Sequence, residues 1–160
     1  YGSKFPWSGK SFKKGKISQE NIENFRKFIF NNLRKYTGLS VSWFGGEPLE
    51  AVQEMEAISQ ILLSACKKRK IPYDAGVVTN GYNLTPNVLE KLIKMKVRQI
   101  QITIDGTREN HNKYKRLKDG SPTYDVVLNN MRYIRDYCKC ATLSVIIRTN
   151  VSHDLVQDNR

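Results

Sequence analysis

The 160-residue chain reads as an α/β protein built on a parallel sheet. Two observations predict this. Segments with apolar residues at helical spacing alternate with short, apolar, strand-like runs. The loops punctuated by Gly and Asn follow the strand-like runs and not the helical ones, as a repeated strand–helix unit requires.

The elements follow in order. Ser18 to Tyr36 reads as a helix, with Ser18 as N-cap and Ile22, Phe25, Ile29 and Leu33 on one face. Gly38 stops it, and Leu39 to Phe44 reads as the first strand. Pro48 starts the second helix, with Val52, Met55, Ile58, Ile61, Leu62 and Ala65 inward. Lys67 to Lys70 close it, where cations suit the negative end of the helix dipole. Tyr73 to Val78 is the second strand; Thr85 then caps a helix with Pro86 in its first turn, continued by Leu89, Leu92 and Ile93. Gln99 to Ile104 is the third strand, and Thr123 to Tyr137 a helix with Val127, Met131 and Ile134 inward. Ala141 to Thr149 is the fourth strand, centred on Val145-Ile146-Ile147. Tyr1 to Lys16 reads as a loop, and Asp154 to Arg160 carries no pattern. Four parallel strands that start and stop so abruptly predict one piece of a larger barrel or sheet, spanning residues 1–160.

Composition narrows the class. Lys plus Arg is 27 against 15 Asp plus Glu, a net charge of +12. Hydrophobic residues at 39% and charged residues at 26% exclude collagen-like and low-complexity chains. No apolar run reaches the roughly 18–20 residues that span a bilayer, and the first residues lack the apolar stretch of a signal peptide. Three cysteines form no disulfide framework, so a reducing compartment, the cytoplasm, is expected. Basic residues gather at Lys4, Lys10, Lys13, Lys14 and Lys16, at Lys67–Lys70, and at Lys91, Lys94, Lys96 and Arg98. Such runs attract polyanions. They come with no basic strand interleaved with aromatics and no recognition helix, so nucleic-acid binding is not expected and they read as solvated helix ends and loops.

In a parallel α/β protein the ligand sits at the carboxyl ends of the strands. All four strands release polar groups there: Gly45-Gly46-Glu47-Pro48, Thr79-Asn80-Gly81, Thr103-Ile104-Asp105-Gly106 and Arg148-Thr149-Asn150. Two glycines let a ligand approach the backbone, and the Glu47 carboxylate can hold an ammonium group. The same residues also suit a tight turn into a helix, with Pro48 in its first position. Asn80-Gly81 and Asp105-Gly106 are common turn or cap pairs as well. Arg148, directly after Val145-Ile146-Ile147, is poorly placed for a merely solvated charge and suits a bidentate contact to a carboxylate. His111 and His153 have no paired ligands and predict no metal site. Cys138-Lys139-Cys140 lies at a helix-to-strand turn on the opposite edge and fits no cluster spacing. Cys66 falls on the apolar side of its helix, as a small hydrophobe.

Ser42-Trp43-Phe44-Gly45-Gly46-Glu47-Pro48, Val78-Thr79-Asn80-Gly81, Gln101-Ile102-Thr103-Ile104-Asp105-Gly106 and His111-Asn112-Lys113-Tyr114-Lys115-Arg116 together closely resemble the radical S-adenosylmethionine superfamily. The resemblance is best to its branch of peptide and protein maturases with a C-terminal SPASM-type domain, and it covers nearly the whole chain. It implies an incomplete (β/α)6 barrel, a partial TIM barrel with about four of its strands present. It implies a [4Fe–4S] cluster on three cysteines spaced C-x-x-x-C-x-x-C, and S-adenosylmethionine bound to that cluster through its amino and carboxylate groups. Reductive cleavage would give a 5′-deoxyadenosyl radical that abstracts a substrate hydrogen.

By the same resemblance Gly45, Gly46 and Glu47, closed by Pro48, hold the amino group. Thr79, Asn80 and Gly81 lie near the same ligand, as do Thr103 and Asp105. A basic residue after the third strand, Lys115 or Arg116, and Arg148 with Asn150 reach its carboxylate and ribose. The implied partners are a peptide or protein substrate and an electron donor such as flavodoxin or ferredoxin, with no membrane. The basic surface is compatible with an acidic leader or substrate.

The sequence departs from the pattern in two ways. No C-x-x-x-C-x-x-C occurs, so no metal ligand is expected in this chain, and the cluster cysteines are expected upstream of Tyr1 together with the first barrel strand. Lys115 precedes Arg116 where the superfamily often has Arg four residues after the His. The leading reading is thus the core of an enzyme that modifies a peptide or protein. The alternatives are an anaerobic sulfatase-maturase-like enzyme and, from other classes, a basic nucleic-acid-binding module or a non-catalytic homologue.

Overall fold

The computed structural model describes residues 17–138 and 143–151. Helix α1 (Gln19–Asn32) is capped by Ser18, whose side chain accepts from the Asn21 amide. A 3-10 turn, Leu33–Lys35, follows it. Strand β1 (Leu39–Trp43), helix α2 (Val52–Arg69), strand β2 (Tyr73–Thr79), helix α3 (Pro86–Lys94) and strand β3 (Val97–Thr103) come next. Helices α4 (Arg108–Tyr114) and α5 (Tyr124–Cys138) precede strand β4 (Ser144–Arg148). The four strands form one sheet in the order β1-β2-β3-β4, every pair parallel. The expected α/β class with a parallel sheet is therefore the observed one, in the sequential order of a partial barrel.

Two helix boundaries and one whole helix differ from expectation, and β3 starts at Val97, two residues before the expected Gln99. The first helix loses its α-geometry after Asn32, and its last turn tightens to 3-10. The second begins as a 3-10 turn, Pro48–Ala51, and becomes α-helical only at Val52. Helix α4 was not expected at all. The Tyr1–Lys16 loop, the Asp154–Arg160 tail, His153 and Cys140 lie outside the described residues.

The two faces of the sheet differ. Ala75, Val77, Ile100 and Ile102 are buried beneath the helices, together with Met55 of α2, Leu89 and Leu92 of α3, and Val127 and Ile134 of α5. Each such side chain contributes about 1.5–3 kcal/mol by leaving water. The alternate residues share the other face: Ser42 registers with Gly76, Gly76 with Gln99, and Gln99 with Ser144. Further up β3, Thr103 registers with Arg148. All the helices of the core thus cover one face and leave a largely polar one. A second, smaller cluster joins Leu33, Ala65 and Cys66 beneath α1. The basic runs at Lys67–Arg69 and at Lys91 and Lys94 occupy the last turns of α2 and α3. Those ends lie at the edge where the strands begin, away from the loops that follow the strands.

Candidate functional site

The Gly45-Gly46-Glu47-Pro48 segment leaves β1 with Gly45 at φ 151°. A Cβ built at either glycine would meet nothing within 4 Å. Glu47 is the cap of the 3-10 turn that Pro48 opens, and its Oε1 accepts from the Leu49 amide at 3.0 Å. The same Oε1 accepts from Thr79 Oγ1 at 2.6 Å, and Oε2 accepts from the Asn80 amide at 2.8 Å. One carboxylate thus joins the end of β1 to the end of β2.

The β2 loop is held on its other side too. The Gly81 amide donates to Thr79 Oγ1 at 3.0 Å, and the Tyr82 amide to Asn80 Oδ1 at 2.9 Å. Asn130 of α5 donates to the carbonyls of Gly81 and Tyr82, each at 2.9 Å. Gly81 sits at φ 80°, and a Cβ there would lie 2.9 Å from Ile102 Cγ2 and 3.2 Å from Val127 Cγ1. Only glycine satisfies both the backbone and the packing.

The loop after β3 is built differently. Asp105, 4% exposed, accepts at Oδ1 from the Asn150 amide at 3.0 Å and from Asn150 Nδ2 at 3.1 Å. Thr107 then caps α4, accepting from the Asn110 amide. His111 is 2% exposed, with Nδ1 3.2 Å from the Asp105 amide and Nε2 3.1 Å from Thr123 Oγ1. Burial pushes the His111 pKa below its ordinary value; the nearby Asp105 opposes this and Lys115 adds to it. Thr123 Oγ1 donates to the Lys115 carbonyl. Asn112 Oδ1 accepts from the amides of Thr123 and Tyr124 at 3.0 and 3.1 Å, seating the start of α5. Arg116 Nε donates to the Asn112 carbonyl.

Between these loops lies a cleft of about 330 Å³, lined by Asn80, Tyr82, Thr103, His111, Lys115 and Arg116 among others. The structure brings Asn80, Thr103, Lys115 and Arg116 to this one cleft. Glu47 is tied to it through Asn80, with Gly45, Gly46 and Pro48 on the same loop. Asp105 and Asn150 bind each other. Arg148 stands in register with Thr103, and its carbonyl accepts from the Ile104 amide at 2.9 Å, but it does not line the cleft.

Tyr82, Asn130 and Thr123 are parts of this architecture that sequence reasoning missed. Nothing in the local pattern marks them; they matter through partners up to 49 positions away. The Thr107 cap with Glu109 in the first turn was the one legible sign of α4.

The residues fit one ligand chemistry and not another. An ionised carboxylate offers about four acceptor positions, and Glu47 uses three. The position left on Oε2 can take a primary ammonium, while Lys115 and Arg116 supply cations for a carboxylate. No group of three or more His, Cys, Asp or Glu able to hold a metal occurs among the described residues. Cys66 is buried against Leu33 and Ala65, which pushes its thiol pKa up. The described residues therefore do not fit an iron–sulfur cluster, and none of its chemistry is derived from them. No described helix is long and apolar enough to cross a membrane.

The profile of the Radical SAM superfamily matches residues 7–158. The radical SAM cyclopropyl synthase TigE of Paramaledivibacter caminithermalis is 26% identical over 122 residues, covering 75% of this chain and 24% of its own. Among solved structures, histidine-tagged anSMEcpe with bound AdoMet superposes with a TM-score of 0.75 at 19% identity, covering 90% of this chain and 36% of that one. Native anSMEcpe with bound AdoMet and a Kp18Cys peptide gives 0.68 at 20% identity, covering 82% and 34%. The chain thus spans about a quarter of the curated relative, at 24%, and about a third of these structures.

Proposed function

The chain belongs to the radical S-adenosylmethionine superfamily, and from that premise we propose that its cleft binds S-adenosylmethionine as part of an enzyme that modifies a peptide or protein. Residues 1–160 are read as part of the radical SAM core domain of a longer maturase, of the branch with a SPASM-type extension. The observation that carries the reading is the pairing of opposite charges at one edge. Glu47 keeps an acceptor position free after its contacts to Leu49, Thr79 and Asn80. Lys115 and Arg116 line the cleft that Asn80 also lines. A ligand carrying both an α-ammonium and an α-carboxylate group suits that arrangement.

In this reading Glu47 accepts from the ammonium group. Gly45 and Gly46 leave room for the approach, since nothing stands within 4 Å of where their Cβ atoms would be. Thr79 and the Asn80 amide hold the carboxylate in place. Thr103 and Asn80 offer polar contacts inside the cleft, and Lys115 or Arg116 pairs with the ligand carboxylate. Arg148 and Asn150, expected on the ribose side, stand at the end of β4 outside the lining of the cleft, with Asn150 bound to Asp105. Bound there, S-adenosylmethionine would supply 5′-deoxyadenosyl radical chemistry only together with a [4Fe–4S] cluster, whose ligands are not among the described residues. The electron would come from a donor such as flavodoxin or ferredoxin, in a reducing, cytoplasmic setting.

A peptide substrate is supported by the neighbour that carries a Kp18Cys peptide beside AdoMet. The same neighbour favours, as a second reading, a sulfatase-maturase-like conversion of a Cys or Ser side chain. The test is an anaerobic titration of S-adenosylmethionine into the full-length enzyme and its Glu47→Gln variant. Saturable binding that the variant weakens is expected. A wild-type enzyme that does not bind the ligand refutes the reading. Turnover of a peptide that carries Cys or Ser, against none of one that carries neither, separates the two substrate readings.

A further inference from the structure

The polar groups beneath the cleft form a single directional chain, and its direction is set by one imidazole. The Asp105 amide can only donate, so His111 Nδ1, 3.2 Å away, must accept and carries no proton. The proton of the neutral ring is then on Nε2, which donates to Thr123 Oγ1 at 3.1 Å. Thr123 has one hydroxyl proton, and it goes to the Lys115 carbonyl. At the other end the Asp105 carboxylate accepts from the Asn150 amide and side chain. The chain therefore runs from the end of β4, through the end of β3 and α4, to the backbone of a cation that lines the cleft.

Every link is directional, and His111 is the member whose side chain alone accepts at one ring atom and donates at the other. Its ring is fixed further by the Tyr124 ring, edge-on with centroids 5.6 Å apart. Lys115 caps α4 through its amide on the His111 carbonyl at 2.8 Å, and the ring adds the Thr123 hydroxyl on the Lys115 carbonyl, just before the Arg116–Pro122 bridge.

We propose that His111, held as the neutral Nε2–H tautomer, is the positioning residue that sets Lys115 in the wall of the ligand cleft. Both its ring nitrogens are engaged within the fold, so its part in the cleft wall is to place the backbone of Lys115. The inference rests on the S-adenosylmethionine reading above and adds to it a residue whose part is order and not contact.

The test uses the full-length enzyme, reconstituted anaerobically, and the variants His111→Asn, His111→Gln and Thr123→Val. Asn keeps an acceptor near the place of Nδ1, Gln keeps a donor near that of Nε2, and Val keeps the shape of Thr without its hydroxyl. Equilibrium titration of S-adenosylmethionine, thermal melting and ¹⁵N spectra of the imidazole are read together. The His111 signals, identified by their loss in His111→Gln, are expected to show a protonated Nε2 and a bare Nδ1 at neutral pH. Each variant is expected to bind the ligand about two- to tenfold more weakly, the worth of one hydrogen bond. The pair His111→Asn with Thr123→Val is expected to lose no more than the worse single change, because both cut one chain. Wild-type affinity in the variants, whatever their melting temperatures, overturns the proposal, as does an imidazolium or an Nδ1–H tautomer. If the His111 variants do not fold, Thr123→Val alone decides. A wild-type enzyme that fails to bind ends the S-adenosylmethionine reading and this inference with it; wild-type binding that the variants leave unchanged ends this inference alone.

Discussion

The loops after β1 and β3 each place a carboxylate at the carboxyl edge of the sheet, and the two are used in different ways. Glu47 is half-buried and accepts from the Leu49 amide of its own turn and from the neighbouring strand end, Thr79 and the Asn80 amide. Asp105 is 4% exposed and accepts both donors of Asn150 from the end of β4. The first stays half-exposed at the sheet edge, and the second is closed off by its own chain. Residue type and strand position therefore do not separate a ligand group from a latch, and neither does the number of donors engaged, three at Glu47 and two at Asp105; burial does.

The largest effect falls on the loop that Glu47 clips. Gly81→Ala forces a side chain into φ 80° and to 2.9 Å from Ile102 Cγ2. The left-handed backbone and the overpacking together should cost about 2–5 kcal/mol, read by urea denaturation. Wild-type stability would mean that the loop takes another route and that the clip is not the organising contact.

Next come the two carboxylates themselves, expected to behave in opposite ways. Asp105→Asn keeps an acceptor for Asn150 at the place of Oδ1 but removes the charge and sets an amide nitrogen at the place of Oδ2, 3.4 Å from Asn150 Nδ2, and should lower stability by about 1–2 kcal/mol. The folded fraction should still bind S-adenosylmethionine near the wild-type affinity. Glu47→Gln should weaken that binding about tenfold to a hundredfold and cost less than about 1 kcal/mol of stability. Exchanged outcomes would reverse the comparison.

A smaller effect follows from His111. Its pKa is lowered in the fold by burial, with Asp105 opposing and Lys115 assisting. The neutral ring is thus favoured in the folded state, and its contribution is complete above the ordinary histidine pKa. It is lost as pH falls through the lowered folded value, where the ring must take a proton facing the Asp105 amide. Denaturation midpoints should therefore decline on acidification below the ordinary range, and His111→Gln should flatten that slope. An unchanged slope in the variant would assign the decline to other groups.

The smallest change is Gly46→Ala, since nothing stands within 4 Å of the new Cβ. Stability should stay within about 0.5 kcal/mol of wild type. A measurable loss of ligand affinity without a shift in melting would mark the space above Gly46 as the path of approach and sharpen the contrast with the closed Asp105 loop.

The order of these effects reflects what could be read in advance. Alternating apolar periods determined the α/β class, the parallel sheet and the edge at which the polar loops meet, because burial of one face imposes those periods locally. Caps at Ser18 and Thr85 were legible for the same reason, as each bonds within three residues of itself. Helix α4 was not legible. Its buried members are Asn110 and His111, so it has no apolar stripe to reveal it. Arg148 reads as a ligand group beside an apolar run, yet it lies outside the cleft's lining. The Val145-Ile146-Ile147 run, for its part, is 37–56% exposed, because β4 is the edge strand of the described sheet.

Only tertiary structure decided which polar groups were already spent. Asp105 meets Asn150 across 45 positions and Gly81 meets Asn130 across 49. A sequence lists donors and acceptors, but hydrogen bonds at such separation depend on how strands and helices are brought together. Local pattern therefore located the edge that bears the site, while packing determined which of its carboxylates stayed open to a ligand.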